Sequence, residues 1–137
     1  RKYLNPTADK NIIFNELLVD WDEPVVLVEG VFDAIVAGEN AVPILGSTLR
    51  TESRLFQALS INDSQVYIAL DEDAEKKAGR MIKSMLEYDL EVFKIDTSGC
   101  DDIGSMSKEE FRKRKAKAQL IDGEKYFFED LFRGINA

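Results

Sequence analysis

The chain contains no histidine, which excludes imidazole acid-base catalysis, histidine metal ligands and serine-histidine or cysteine-histidine nucleophile pairs. Its one cysteine, Cys100, can form neither an internal disulfide nor a multi-cysteine zinc cluster. No apolar run approaches the roughly 18 residues of a membrane span, and the first residues lack the apolar core of a signal peptide. We therefore expect a soluble cytoplasmic protein without a membrane partner, whose chemistry rests on carboxylates, lysines, arginines, tyrosines and backbone groups.

The length and composition fit one compact domain with a proper core, since the chain has 137 residues, of which 45% are hydrophobic. It begins with Arg1 rather than methionine, which we interpret as a sign of processing or of excision from a longer protein. The net charge of -8 argues against wholesale wrapping of nucleic acid, because phosphate contacts require clustered lysine and arginine. The distribution of charge along the chain therefore matters more than its sum.

Short β-branched runs alternate with helical stretches from Val25 onward. The expected strands are 25–29, 41–45, 66–70 and 91–95, and the expected helices are 31–38, 50–59 and 74–88. Continuous apolar strands with intervening helices are typical of an α/β fold whose parallel sheet is covered on both faces. A leading strand over 11–15 and C-terminal helices over 107–120 and 124–132 complete the prediction. We thus expect an N-terminal extension over 1–24, a core over 25–105 and a helical extension over 106–137.

Two of these apolar strands run directly into carboxylates. Glu29 ends the first strand, and Asp71 and Asp73 follow the third. In an open parallel sheet, ligands bind outside the carboxyl ends of the strands where the strand order reverses, so we expect an order of 2-1-3-4 that makes these acids neighbours. Clustered carboxylates repel one another and lose solvation unless a cation neutralises them. Hard oxygen ligands without nitrogen or sulfur favour Mg²⁺ or Mn²⁺ over zinc.

The residues next to these acids support the same site. Gly30 lets the chain turn tightly and lets a ligand approach the backbone, and Asp33, four residues past Glu29, can face the same crevice. A structural alternative exists, because aspartate at the start of a helix is a common cap, and it applies best to Asp73. Glu29 has no ordinary structural role at the end of an apolar strand and before a glycine. Glu29, Asp33, Asp71 and Asp73 taken together therefore favour a metal site.

Three segments together resemble the signature of the TOPRIM domain, which is shared by bacterial and phage primases, type IA and II topoisomerases, OLD-family nucleases and RecR-type repair proteins. The segments are Val28-Glu29-Gly30 with Asp33, Leu45-Gly46-Ser47, and Leu70-Asp71-Glu72-Asp73-Ala74. The resemblance covers roughly 25–105 and implies a Rossmann-like fold. The form EGxxD followed by LGS is most similar to the primase branch.

This resemblance implies a role for each matched residue. Glu29 would be the general acid or base, or a metal ligand, while Asp71 and Asp73 would hold the metal and Asp101 or Asp102 would complete its site. Gly46 and Ser47 would shape the turn beside the nucleotide. Glu72 and Ile103 depart from the primase pattern, which indicates a divergent, phage-like branch.

The implied activity is that of a DNA primase, which makes RNA primers for replication from nucleoside triphosphates on a single-stranded DNA template. Its template-gripping and zinc-binding parts would lie outside this chain, in a bacterial or phage-infected cell, and a replicative helicase or another replisome protein is an expected partner. Two alternatives remain open. One is a TOPRIM nuclease that uses the same metals for cleavage, and the other is a non-catalytic TOPRIM module that mediates assembly.

Basic residues that could meet phosphates occur in two places. Arg50, Arg54 and Lys77 lie near the expected crevice. Residues 107–119 contain six cations and two acids, which gives a local charge of +4, and include the candidates Lys113 and Lys117. The alternative for this segment is a solvated helix face. For the aromatic residues of 126–132, packing of the last helix is favoured over base stacking.

Overall fold

A computed structural model of the protein describes residues 12–45, 49–71 and 74–136. In this part of the chain, five strands form one sheet in the order β2-β1-β3-β4-β5. The strands are β1 (Val25–Val28), β2 (Ala41–Pro43), β3 (Val66–Ala69), β4 (Val92–Lys94) and β5 (Gln119–Leu120). The first four are parallel, and β5 is antiparallel to β4. The predicted order 2-1-3-4 is confirmed, with a fifth strand added at one edge.

The two central strands pair in register over their full length, from Val25 opposite Val66 to Val28 opposite Ala69. On the other side of β1, Val28 lies opposite Pro43. The ladder continues past β2, because the backbone N–H of Ile44 donates to the Val28 carbonyl at 2.9 Å. The carboxyl ends of β1, β2 and β3 therefore meet at the same edge of the sheet.

Helices cover both faces of the sheet, which explains why the strands are apolar throughout. They are α1 (Val31–Ala37), α2 (Arg54–Ile61), α3 (Glu75–Glu87), α4 (Lys108–Ala116) and α5 (Gly123–Asn136). Leu27 packs on the side of α2 and α3 with Phe56 and Met81. Val28 points to the opposite face and packs with Phe111 of α4. Strand residues thus alternate between two separate parts of the core.

The starts of two helices follow from their N-cap serines. The Ser53 hydroxyl accepts a hydrogen bond from the Phe56 N–H at 3.2 Å, and the Ser107 hydroxyl accepts one from the Glu110 N–H at 3.0 Å. These contacts satisfy backbone donors that the first turn of a helix leaves unpaired. The predicted start of a helix at Ser107 is confirmed.

The predicted end of that helix near Leu120 is wrong, and the sheet is mixed rather than wholly parallel. Helix α4 stops at Ala116, and Leu120 pairs with Phe93 in the antiparallel β5. The free edge of β4 supplies backbone hydrogen-bonding groups that this segment satisfies. Tertiary pairing therefore overrides the helical propensity of a segment rich in lysine and alanine.

The predicted leading strand is also wrong for its described part, residues 12–15. Asn15 adopts a left-handed backbone conformation with φ of 57°, which breaks an extended chain, and a 3₁₀ turn follows over Glu16–Leu18. The extension is attached by polar contacts instead. The Asn40 side-chain amide donates to the carbonyl of Asp20 at 2.7 Å and to that of Pro24 at 2.9 Å.

The last helix extends beyond its predicted bounds of 124–132 and runs over Gly123–Asn136. Tyr126 attaches it to the core, since its hydroxyl donates to the Gly79 carbonyl at 3.1 Å. No helix in the described ranges combines the length and apolar character that crossing a membrane requires. The division into an extension, a core and a C-terminal segment stays a prediction.

The central strand supplies a direct test of this core. Leu27→Ala should lower the free energy of unfolding by about 2–5 kcal/mol, because the side chain is fully buried and its truncation leaves a cavity. The matched control is Leu17→Ala, at a side chain that is 100% exposed, which should change stability by less than about 0.5 kcal/mol. Urea denaturation of both variants measures the difference. Equal losses would contradict the assignment of β1 to the centre of the sheet.

Candidate functional site

The register of the central strands brings two predicted acids to one edge of the sheet. Glu29 directly follows Val28, and Asp71 lies two residues after Ala69, the partner of Val28. Both carboxylate residues are half-buried. The expectation that Glu29 and Asp71 follow neighbouring strands is therefore confirmed, and the fold holds them where the strand order reverses.

A lysine from helix α3 reaches the first of these acids. The Lys77 Nζ lies 3.6 Å from Glu29 Oε2, and the two side chains are 21% and 22% exposed. The distance is longer than the 2.7–2.9 Å or so of a strong charge-assisted hydrogen bond, so the contact is a loose ion pair in a partly dry setting. Lys77 was predicted to meet phosphates, and its position beside Glu29 places a cation at the same crevice.

Asp33 is buried, and backbone donors occupy both of its oxygens. Oδ2 accepts the Gly30 N–H at 3.0 Å, which forms half of a capping box at the start of α1. Oδ1 accepts the Gly104 N–H at 2.7 Å, from a turn far along the chain. Asp33 thus joins the start of α1 to the loop after β4. Its role as a metal ligand stays a prediction, since each carboxylate oxygen can accept a further contact.

The turn around Gly104 brings a second predicted acid close to Asp33. Asp102 Oδ1 accepts the Ser105 N–H at 2.8 Å and caps a short 3₁₀ turn. A Cβ atom added at Gly104 would lie 3.2 Å from Asp33 Oδ1 and 3.3 Å from Asp102 Oδ1. The two carboxylates therefore flank Gly104, and only a residue without a side chain fits there comfortably. Asp101 is exposed at the same loop.

Gly104 was not predicted as a functional position. The useful signal was the run of Asp101, Asp102 and Gly104 directly after a strand and loop, because such a turn can bring backbone N–H groups toward a carboxylate on another element.

A cleft of about 380 Å³ opens beside Asp71, between α3 and the loop after β4. Its lining includes Ile68, Leu70, Asp71, Ala78, Lys94 and Asp96. The Thr97 hydroxyl donates to the Leu70 carbonyl at 2.9 Å and so ties the loop to the end of β3. Of the predicted acids in the described residues, Asp71 therefore borders a space in which a ligand can lie.

Asp96 is a cleft residue that the prediction missed. It lies two residues after the end of β4, as Asp71 lies two residues after the end of β3, so an acid close to a strand end was visible in the sequence here too. The hydroxyl and backbone N–H of Ser98 donate hydrogen bonds that hold the pKa of the Asp96 carboxyl below its usual value, with smaller contributions from Arg114 and Lys94. Asp96 is therefore ionised at neutral pH.

Three predicted residues, Asp73, Gly46 and Ser47, lie outside the described residues. Over 12–45, 49–71 and 74–136, no three aspartate, glutamate, cysteine or histidine side chains are grouped closely enough to hold a metal ion. The predicted trio of Glu29, Asp71 and Asp73 includes one of the undescribed residues. The metal site accordingly stays a prediction.

Most of the basic candidates contact acids at other places. Ion pairs join Arg50 to Glu52 at 3.8 Å, Arg54 to Glu16 at 2.8 Å and Lys113 to Glu109 at 3.9 Å. Lys117 differs, because it lines a second cleft that also includes Lys94. Lys117 therefore borders a cleft and Lys77 contacts Glu29, whereas Arg50, Arg54 and Lys113 contact acids elsewhere.

Comparisons with known proteins identify the fold. No protein-family model and no curated protein matches the chain. A crystal structure of the Aquifex aeolicus primase, containing its zinc-binding and RNA polymerase domains, is similar, with a TM-score of 0.58 and 24% sequence identity over 73% of this chain. The match spans 27% of the primase chain. The α/β fold with its central mixed sheet is therefore shared with part of that primase.

The two hydrogen bonds to Asp33 can be tested without any ligand. Asp33→Ala should lower the free energy of unfolding by about 1–3 kcal/mol for each backbone donor that water cannot reach. Asp33→Asn, which keeps one acceptor oxygen, should lose less. The control is Asp101→Ala at an exposed acid of the same loop, with a change below about 0.5 kcal/mol. Urea denaturation in metal-free buffer gives the values, and an unchanged Asp33→Ala variant would contradict the joining role.

Proposed function

We propose that this chain is the TOPRIM part of a DNA primase and carries out metal-dependent phosphodiester chemistry on nucleic acid. The observation that carries the proposal is the placement of Glu29 and Asp71 after neighbouring parallel strands that pair in register. Two further features support it. The fold is shared with part of the Aquifex aeolicus primase, and the cleft beside Asp71 has space for a ligand.

The charge balance at the sheet edge suits a divalent cation. Glu29 and Asp71 bring two negative charges to this edge and Lys77 one positive charge, and the sequence adds Asp73 two residues after Asp71. The remaining excess of acid is unfavourable next to a partly dry core, and a divalent ion removes it. All the available donors are oxygens, which Mg²⁺ and Mn²⁺ prefer, and Mg²⁺ needs only a few carboxylates because it retains water ligands.

Glu29, Asp71 and Asp73 would hold this ion, and Asp101 or Asp102 with Asp33 lie at the adjoining loop and helix. The bound ion would stabilise the negative charge that develops on phosphoryl oxygens during transfer. The Asp71 Oδ1 atom is shielded from solvent, which suits an inward-facing ligand. Lys77 places a positive charge 3.6 Å from Glu29 Oε2.

In the proposed reaction, the 3′ hydroxyl of a primer attacks the α-phosphorus of a nucleoside triphosphate. A new phosphorus-oxygen bond forms, the bond to the leaving pyrophosphate breaks, and the hydroxyl proton passes to the Glu29 carboxylate. A carboxylate in that role must come within hydrogen-bond reach of the hydroxyl. Gly30, next in the chain, leaves room for that approach. The single-stranded DNA template and a replisome partner belong to the same proposal, as does a cytoplasmic setting.

Metal binding is the first test of this proposal. Asp71→Asn should weaken Mn²⁺ binding by at least roughly tenfold, because even loss of an outer-shell contact can have that effect. The matched control is Asp22→Asn, at an exposed acid that precedes β1 and so lies at the opposite edge of the sheet. Isothermal titration with Mn²⁺ and with Mg²⁺ measures both variants. Absence of binding at millimolar metal in the parent chain would overturn the enzymatic proposal and favour an assembly module.

The reaction itself is tested at Glu29. Glu29→Gln should lower template-dependent incorporation of nucleotides by about 10²–10⁴-fold, the usual worth of a general acid or base, while the urea midpoint stays unchanged. Glu109→Gln, at an exposed acid of α4, is the control. Retained incorporation in Glu29→Gln would refute the assigned role. Mn²⁺-dependent nicking of plasmid DNA without any incorporation would instead identify a nuclease.

A further inference from the structure

A second cleft lies next to the one beside Asp71. It has a volume of about 900 Å³ and runs between the end of β4, the strand β5 and helix α5. Lys94 and Asp96 line both clefts. The two clefts therefore adjoin at these residues, and together we call them the groove, which extends from Asp71 toward the C-terminal helix.

Three lysines from different elements line the larger cleft. Lys94 ends β4, Lys117 directly follows α4, and Lys125 lies in the first turn of α5. All three are exposed, and no carboxylate in the described part of the chain lies within ion-pair distance of them. Their charges are thus available to an incoming anion, although the chain as a whole carries -8.

The other basic groups of α4 differ in this respect. Arg114 donates to Glu110 at 2.8 Å and also to the carbonyls of Asp96 and Ser98. Lys113 contacts Glu109 on the outer face of the helix. The segment of local charge +4 is therefore divided, and only Lys117 of these three directs an unpaired cation to the groove.

The acids of the groove are largely occupied by contacts with the protein. Asp96 accepts the Ser98 N–H, and Glu110 accepts the Arg114 Nε–H. Asp122 Oδ1 accepts the Lys125 backbone N–H at 3.3 Å. Glu129 on α5 is the remaining acid of the lining. These contacts leave the carboxylates charged, so a phosphate is attracted where it lies closer to the lysines than to the acids.

We propose that this groove holds the sugar-phosphate backbone of a single-stranded nucleic acid, with Lys94, Lys117 and Lys125 contacting its phosphates. The inference rests on the proposed function, since it names the path by which a strand reaches Asp71. A strand repeats its charge at every nucleotide and so matches cations spread over three elements, whereas a mononucleotide places its phosphates in one cleft. Open grooves lined by cations are the usual way to follow a single-stranded backbone.

The test compares two triple variants of equal charge. The groove variant carries Lys94→Gln, Lys117→Gln and Lys125→Gln, and the control carries Arg80→Gln, Lys83→Gln and Lys108→Gln, at exposed basic residues that do not line the groove. Binding of a fluorescein-labelled DNA strand of about 12 nucleotides is followed by anisotropy over a series of NaCl concentrations. The slope of log affinity against log salt should fall by about 2 in the groove variant, at about 0.7 for each phosphate contact.

The control variant should keep the slope of the parent chain. An equal decrease in both variants would overturn the proposal, because net charge alone would then explain the binding. An unchanged slope in the groove variant would overturn it as well. If the triple variant does not fold, the single substitutions replace it in the same test. Each should lower the slope by about 0.7, and an unchanged slope in all three would overturn the proposal.

Two further measurements are needed. One distinguishes failure of the groove from failure of the proposed metal site, and the other distinguishes binding of a strand from binding of a mononucleotide. Asp71→Asn should lose Mn²⁺ affinity yet keep the salt slope of DNA binding, so a failed metal site and a failed groove give different results. ATP is the mononucleotide probe. If the groove variant lost ATP binding but retained the DNA slope, the groove would be a nucleotide site and the strand proposal would be wrong.

Discussion

The in-register parallel pairing of β1 with β3 is the constraint on which the rest of the structure depends. It buries all four residues of β1, with alternate side chains directed to opposite faces of the sheet. It also fixes where the two chains leave the sheet, and hence where Glu29 and Asp71 lie. A slip of one residue would exchange the two faces of a strand and separate the acids at the same time. Stability and site geometry are therefore set by one interaction.

Negative charges at the edge of the sheet are stabilised by nearby donors and cations, and three of the acids there have different kinds of partner. Lys77 supplies a charge to Glu29, backbone donors at Gly30 and Gly104 satisfy Asp33, and Asp102 caps its own turn. These contacts connect α1, α3 and the loop after β4. All three of these parts contact the acids at the edge of the sheet, so a change in any of them alters the environment of the acids.

Features that depend on a short stretch of sequence could be predicted. Apolar runs that end in acids predict the strand order, and Ser107 predicts the start of α4. Other features depend on distant partners. Residues 119–120 form a strand because the edge of β4 is open, and the contact of Lys77 with Glu29 depends on how α3 packs after β3. Asn15 ended the expected leading strand through its own backbone conformation, which composition alone does not reveal.

A nucleic-acid strand in the proposed groove would be attracted by some charges of the protein and repelled by others. Lysines along the proposed groove would attract phosphates, whereas the negative charges of Asp71 and Glu29 would repel them. A strand that follows the groove inward therefore meets rising repulsion unless a divalent cation occupies the edge. Metal binding and strand entry are then linked in free energy, because each favours the other by the same factor. Lys94 and Asp96 lie where the two clefts join, so this junction is where that linkage would act.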